Sequence, residues 1–181
     1  RRILNDLSHN LSYQVTGSSM HDDCCPGSGN YHYIQADICN VQTLKELFKE
    51  VYPDTVINTS ALSVPDYCET EADAINITAV ANLAKYCHKY GSRLIHLSTD
   101  FVFSGNANRL YTEEDLPAPV NYYGYTKWEG EKHIVALCQN YAIVRVVVVY
   151  GAALPGQHGN ILQLVVNRLR SNIEIHVVSD Q

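Results

Sequence analysis

Across 181 residues the chain has no cluster of lysine and arginine, no C-x-x-C pair, and no apolar stretch near the ~20 residues that cross a bilayer. The first absence, with a formal net charge of -6, excludes a surface built to hold nucleic-acid phosphates. The long apolar run and the signal-peptide pattern are both missing, so the expectation is a cytosolic protein with no membrane partner. Without C-x-x-C spacing, the stretch from His21 to Cys24-Cys25, with His32 beyond it, does not make a zinc site, and no metal is expected. The six cysteines are scattered, with Cys39, Cys68, Cys87 and Cys138 in apparent core segments, and they read as reduced thiols. Asn58-Thr59-Ser60 and Asn76-Ile77-Thr78 match the glycosylation sequon, but both fall in segments that read as buried. The first residue is not methionine, and with the stop at Asp180-Gln181 the chain reads as cut at both ends.

What is present is an ordinary core: 46% hydrophobic and 18% charged residues describe one soluble domain over 1–181. Arg1, Arg2, Ile3, Leu4, Leu7 and Leu11 open a partial helix, and Tyr13 to Thr16 reads as a strand closed by Gly17. A polar loop follows through Asn30, then a strand from Tyr33 to Gln35. Leu44, Leu47, Phe48 and Val51 recur at helical spacing. Thr55 to Asn58 predicts a third strand, Ala72 to Tyr90 a helix stopped by Gly91, and Arg93 to Ser98 a fourth strand. Asn121 to Asn140 predicts a helix, and Ala142 to Val149 is a β-branched run of the kind buried in parallel sheets. Ile175 to Val178 begins another strand. Repeated strand-helix units joined by short loops imply a doubly wound α/β fold with a parallel sheet.

In such sheets ligands bind at the carboxyl ends of the strands. Those ends carry Gly17-Ser18-Ser19, Asp37-Ile38, Ser60-Ala61-Leu62, Ser98-Thr99-Asp100 and Tyr150-Gly151. Small and hydroxyl side chains suit tight turns one by one, and together they suit a nucleotide lying across the sheet edge. On the helix that follows, Tyr123 and Lys127 stand at i and i+4, so the ammonium can lie beside the phenol. A charge at ~5 Å in an effective dielectric of ~20 is worth about 3 kcal/mol, or roughly two pK units off the phenol's usual 10. Tyr123 is then expected to exchange protons near neutral pH.

Thirteen tyrosines and six lysines predict roughly 0.4 accidental Tyr-x-x-x-Lys matches, so the context decides. Ser98-Thr99-Asp100-Phe101-Val102-Phe103-Ser104-Gly105, then Tyr111 through Asp115 to Pro119, Tyr123-Gly124-Tyr125-Thr126-Lys127 and Gly130-Glu131 resemble the extended short-chain dehydrogenase/reductases. Within them the chain is most similar to the dTDP-4-dehydrorhamnose reductase branch. Asn58 to Asp66 with Glu69, and Val144-Arg145 leading to Tyr150-Gly151, fit the same branch.

The resemblance implies a Rossmann-like dinucleotide domain with Thr99, Tyr123 and Lys127 as catalytic residues. It places Asp37 and Ile38 beside the adenine, Ser60, Ala61 and Leu62 at the pyrophosphate and ribose, and Ser98 and Asn76 near the cofactor. Asn76 also reads as a polar residue bonded within its own helix. Ser63, Thr99, Asp100, Phe101, Tyr123 and Val148 border the implied nucleotide-sugar substrate. Ser18 and Ser19, with no acid beside them, favour NADP(H) over NAD(H), and His21 can assist.

Two departures stand out. The family's first strand and its Gly-x-x-Gly-x-x-Gly loop do not occur in these 181 residues, so the chain alone is expected to bind dinucleotide poorly. Phe101 and Val148 also replace a tyrosine and a tryptophan usual in the branch. The resemblance therefore implies a reductase of a 4-keto nucleotide-deoxysugar, with a homodimer compatible. One alternative is a non-catalytic regulatory subunit like the methionine adenosyltransferase beta subunit, which shares a Glu-Asp-x-Pro-Ala-Pro stretch with Glu114 to Pro119. The other is a nucleotide-sugar epimerase. A 4,6-dehydratase would need an acid where Phe101 stands.

Overall fold

The computed structural model describes residues 2–23, 29–63, 69–151 and 160–176. Helix α1 (Arg2–Ser8) precedes strands β1 (Val15–Ser19) and β2 (Tyr31–Gln35), which pair in parallel with Val15 opposite Tyr31. Helix α2 (Val41–Val51) leads to β3 (Thr55–Asn58). Next come α3 (Glu69–Ala72), a π-helical turn (Asp73–Ala79) and α4 (Val80–Tyr90), which deliver β4 (Arg93–Thr99). A 3-10 turn (Asp100–Val102) closes β4, and α5 (Tyr122–Leu137) precedes β5 (Tyr141–Val146). β3, β4 and β5 form a parallel sheet in that order, with Asn58 opposite His96 and Thr99 opposite Val146.

Local chemistry sets these limits. The Asn40 side chain accepts from the backbone of Gln42 and Thr43, fixing the start of α2 and turning Leu44 and Phe48 into the core. Asn121 caps α5 in the same way through the Gly124 amide, 2.7 Å away. The core joins Leu44 and Phe48 to Val80, Leu83, Ala84 and Cys87 of α4, Leu94 of β4, and Ile134 and Cys138 at the end of α5. Each of the larger apolar side chains contributes roughly 1.5–3 kcal/mol by leaving water. Burial also pushes the Cys87 thiol up to about 12, so it packs as an inert apolar group.

The expected α/β architecture with parallel strands is present, divided into two hydrogen-bonded sets. A cleft of about 340 Å³ opens between the edges of β1 and β3, bordered by Thr16 and Ser18 on one side and Val56 and Asn58 on the other. Among the described residues no strand pairs with both β1 and β3, so they belong to separate sheets.

Several elements differ from the sequence expectation. Gly17 does not close β1 but lies inside it, because α1 packs so closely that a Cβ there would meet Leu4 Cδ2 at 3.0 Å. The helix expected from Ala72 is widened into a π turn over Asp73–Ala79, which turns Asn76 into the interior. β5 ends at Val146, and Val147, Val148 and Val149 are exposed, so the β-branched run outlasts the neighbouring strand that could pair with it. Residues 173–176 carry no strand, and Val178 lies outside the described residues. Sequence periodicity also passed over α6 (Ile161–Arg170), whose signal is the reciprocal cap between Asn160 and Gln163.

Asn58 and Asn76 of the two sequons are both buried. Cys39, Cys87 and Cys138 are free thiols, whereas Cys24, Cys25 and Cys68 lie outside the described residues. Among the described residues no helix is long and apolar enough to cross a membrane.

At Gly130 a Cβ would sit 2.5 Å from the Asn76 carbonyl oxygen, because α5 lies directly against the π turn. Gly130→Ala should therefore destabilise the protein by roughly 1–3 kcal/mol despite the better helix propensity of alanine. The check is a lower urea midpoint at unchanged slope.

Candidate active site

Parallel strands bring their carboxyl ends to one edge, and the side chains that gather there come from β1, β2, β3, β4 and α5. Ser18, Ser19, His21, Asp37, Ile38, Ser60 and Ala61 all line the cleft. Asp37 accepts from the Cys39 backbone amide at 2.9 Å, which shapes the turn after β2. Ser19 shares a 2.7 Å hydrogen bond with the Tyr33 hydroxyl.

The end of β4 carries the reacting candidates. Thr99 Oγ1 accepts from the Phe101 amide at 3.2 Å and donates to Asp100 Oδ1 at 3.2 Å, so its rotamer is set by the 3-10 turn. The Tyr123 side chain approaches Thr99 from α5, close enough for the two to act on each other electrostatically, and the Tyr123 ring meets the Phe101 ring edge-on at 6.1 Å. The Ser98 hydroxyl is buried and has no hydrogen-bond partner among the described residues. Ser63 and Val148 are exposed, and no hydrogen bond or ring contact among the described residues ties them to this cluster.

Lys127 corrects the expected electrostatics. Its side chain is 1% exposed and crosses to β4, where Nζ donates to the Leu97 carbonyl at 2.8 Å and lies 3.2 Å from His96 Nε2. Burial pulls the lysine down to about 8, partly opposed by the Glu131 carboxylate. Tyr123 is not lowered by a neighbouring cation. Burial raises its phenol, the nearby Thr99 side chain works the other way, and Asp100 adds to the rise. The i, i+4 spacing holds, but the amine is engaged by β4 rather than by the phenol.

Asn76 corrects a second expectation. It is fully buried, and its amide both accepts from Leu62 N and donates to Leu62 O, each at 3.0 Å, while Nδ2 also donates to Thr126 Oγ1 at 3.0 Å. Those bonds use both Nδ2 hydrogens and one Oδ1 lone pair, so Asn76 anchors the 60–62 segment.

Three features escaped sequence reasoning. His96 lies fully buried under the site, its Nδ1 3.0 Å from Asn58 Nδ2, and burial together with the Lys127 charge lowers it to about 3. Asn58 accepts from the Ser60 amide at 3.0 Å. Glu131 and Arg145 form a two-pronged ion pair at 3.1 and 2.7 Å, and the Arg145 guanidinium lies over Phe103, which stacks on Tyr111 at 4.3 Å. The signal for His96 was its place in an apolar run, but its partner Asn58 lies 38 residues away on the neighbouring strand.

A family model described as the RmlD substrate binding domain matches residues 5–181. The dTDP-4-dehydrorhamnose reductase of Escherichia coli K12 is 34% identical over 148 residues, covering 80% of this chain and 48% of that protein. Methionine adenosyltransferase 2 subunit beta of Rattus norvegicus is 37% identical over 120 residues, covering 65% and 36%. The crystal structure of dTDP-4-dehydrorhamnose reductase from Bacillus anthracis in complex with NADP superposes with a TM-score of 0.77 at 26% identity, covering 93% of this chain and 64% of that one. The chain thus spans less than half the length of these two curated relatives. The fold is Rossmann-like.

Because His96 is buried uncharged, it favours unfolding wherever the unfolded chain takes up a proton that the fold refuses. Its folded pKa lies below the usual 6.5, so stability rises with pH between about 3 and 6.5 and falls as pH drops through that window. His96→Asn should flatten this acid limb by an amount on the order of a few kcal/mol, read from thermal unfolding of both proteins across the window.

Proposed function

Since the chain belongs to the RmlD substrate-binding-domain family, we propose that it is the dinucleotide-binding part of a reductase acting on the 4-keto group of a nucleotide-linked deoxysugar, with NADP(H) favoured over NAD(H). The observation that carries this is the approach of the Tyr123 side chain to Thr99 at the end of β4, with Lys127 one helical turn further along α5.

The residues present fit such a cofactor. The cleft has small polar side chains at its edge, and among the described residues the buried Ser98 hydroxyl has no hydrogen-bond partner, which supports a role in meeting a ligand. Ser18 and Ser19 would hold the adenosine ribose and its phosphate, Asp37 and Ile38 the adenine, and Ser60, Ala61 and Leu62 the pyrophosphate side. When bound, the reduced nicotinamide supplies the hydride for the ketone carbon. Tyr123 gives its proton to the oxygen that becomes an alkoxide, and Thr99 hydrogen-bonds the same oxygen. Burial keeps the phenol protonated at neutral pH, the form that reduction requires. Ser63, Asp100, Phe101 and Val148 are the proposed sugar contacts, and the departures from the branch at Phe101 and Val148 direct attention to sugars other than the rhamnose precursor.

A second reading is a non-catalytic subunit of a larger enzyme. Its support is the 37% identity to methionine adenosyltransferase 2 subunit beta. Turnover of a keto-sugar nucleotide by the protein favours the first reading, and co-purification with a larger enzyme without turnover favours the second.

Tyr123→Phe should lower ketone reduction by roughly 10²–10⁴-fold while dinucleotide affinity stays nearly unchanged. Lys127→Ala should weaken both. Stopped-flow reduction and cofactor titration of the two variants separate these outcomes, and equal turnover by Tyr123→Phe removes the phenol from the mechanism.

A further inference from the structure

Beneath the site a single line of hydrogen bonds runs from the Ser60 backbone amide through Asn58 and His96 to Lys127. Each link limits the next. The Ser60 amide can only donate, and Asn58 Oδ1 accepts from it at 3.0 Å. Turning the Asn58 amide over would set Nδ2 against that N–H, donor against donor, so the orientation is settled. Nδ2 then faces His96 Nδ1 at 3.0 Å and has only hydrogens to give, so Nδ1 is the bare, accepting nitrogen. A neutral imidazole must therefore carry its proton on Nε2, 3.2 Å from Lys127 Nζ. An ammonium has three donors and no lone pair, so it would oppose that N–H. An amine has the lone pair to accept it, and it still donates to the Leu97 carbonyl at 2.8 Å.

We infer that His96, oriented by Asn58 and through it by the Ser60 amide, is a positioning residue that docks Lys127 on β4 as a neutral amine, and that protonation of Lys127 breaks this contact and releases the ammonium toward Tyr123. The release step rests on the reductase reading; the hydrogen-bond pattern does not. Of the charged groups on the packed elements, Glu131 acts on the lysine directly. Glu131 lies one turn along α5 and is paired with Arg145 of β5. Asp73 of the π turn is engaged by the Tyr122 hydroxyl at 2.7 Å, and Asp100 of the 3-10 turn faces Tyr123. Glu131 favours the ammonium, whereas burial and the His96 N–H favour the amine. The docked geometry is thus the alkaline form, and the unlowered phenol of Tyr123 is its counterpart.

Long-range proton–nitrogen correlation of the His96 ring, on ¹⁵N-labelled protein at about pH 10, tests the pattern without substrate or cofactor. The expected result is a protonated Nε2 and a bare Nδ1. In Asn58→Asp the carboxylate accepts from both Ser60 and the ring, so the proton should move to Nδ1, and Nε2 should become an acceptor for the ammonium. The Lys127 midpoint, read from its ¹⁵Nζ shift, should then rise by roughly one to three units. A proton on Nδ1 of the unaltered protein overturns the inference, as does an unchanged tautomer in folded Asn58→Asp. The first measurement needs no variant. Failure of ketone turnover leaves the tautomer result standing, and the wrong tautomer leaves turnover untouched.

Discussion

A lysine with 1% of its surface exposed has to find hydrogen-bond partners inside the protein, and the arrangement of the site follows from where Lys127 finds them. The Leu97 carbonyl, adjacent to the ladder between β4 and β5, and the His96 ring draw α5 onto the last turn of β4. That contact sets the height at which Tyr123, one turn earlier on α5, comes level with Thr99. Gly124 and Gly130 let the helix lie close enough, since a Cβ at either would strike the backbone of Phe101 or Asn76. The site is therefore a product of close helix-to-strand approach, and its hydroxyl pair is a secondary result of a buried amine.

Much of this was legible in one dimension. Tyr123 and Lys127 were visible because a helix repeats every 3.6 residues, and Thr99 because an apolar run ended in hydroxyls. The strand ends that line the cleft were visible through the rule that ligands gather at carboxyl edges, and Ser18, Ser19, Asp37, Ile38, Ser60 and Ala61 do line it. What was not legible depended on register between distant segments. Asn58 and His96 are opposite each other only because β3 and β4 pair with that offset, and nothing local in either strand announces it. The direction of the Tyr123 shift was misjudged for the same reason: spacing shows that two side chains share a face, but not which neighbour claims the amine.

The division of the strands into two sets gives the molecule two kinds of edge. β5 is followed along the chain by an exposed valine run, while residues of β1 and β3 both line the cleft. The helices bridge this division. Leu44 and Phe48 of α2 join the core built on α4, β4 and α5, yet they also line the cleft, so the apolar interior is continuous with the space between the sheets. Any group that enters the cleft meets polar serines near the strand ends and hydrocarbon deeper in.

The π turn at Asp73–Ala79 carries a consequence for how this chain tolerates change in length. An i to i+5 turn holds one residue more than the α-helix around it, and here that extra residue is what aims Asn76 at Leu62 and Thr126. Deleting a single residue from the turn would restore ordinary winding with the flanking helices nearly in register, but would change which side chain faces Leu62 and Thr126. Such a deletion would leave the helix more regular and the 60–62 segment without its anchor, so the locally less favourable winding is the one selected by the surroundings.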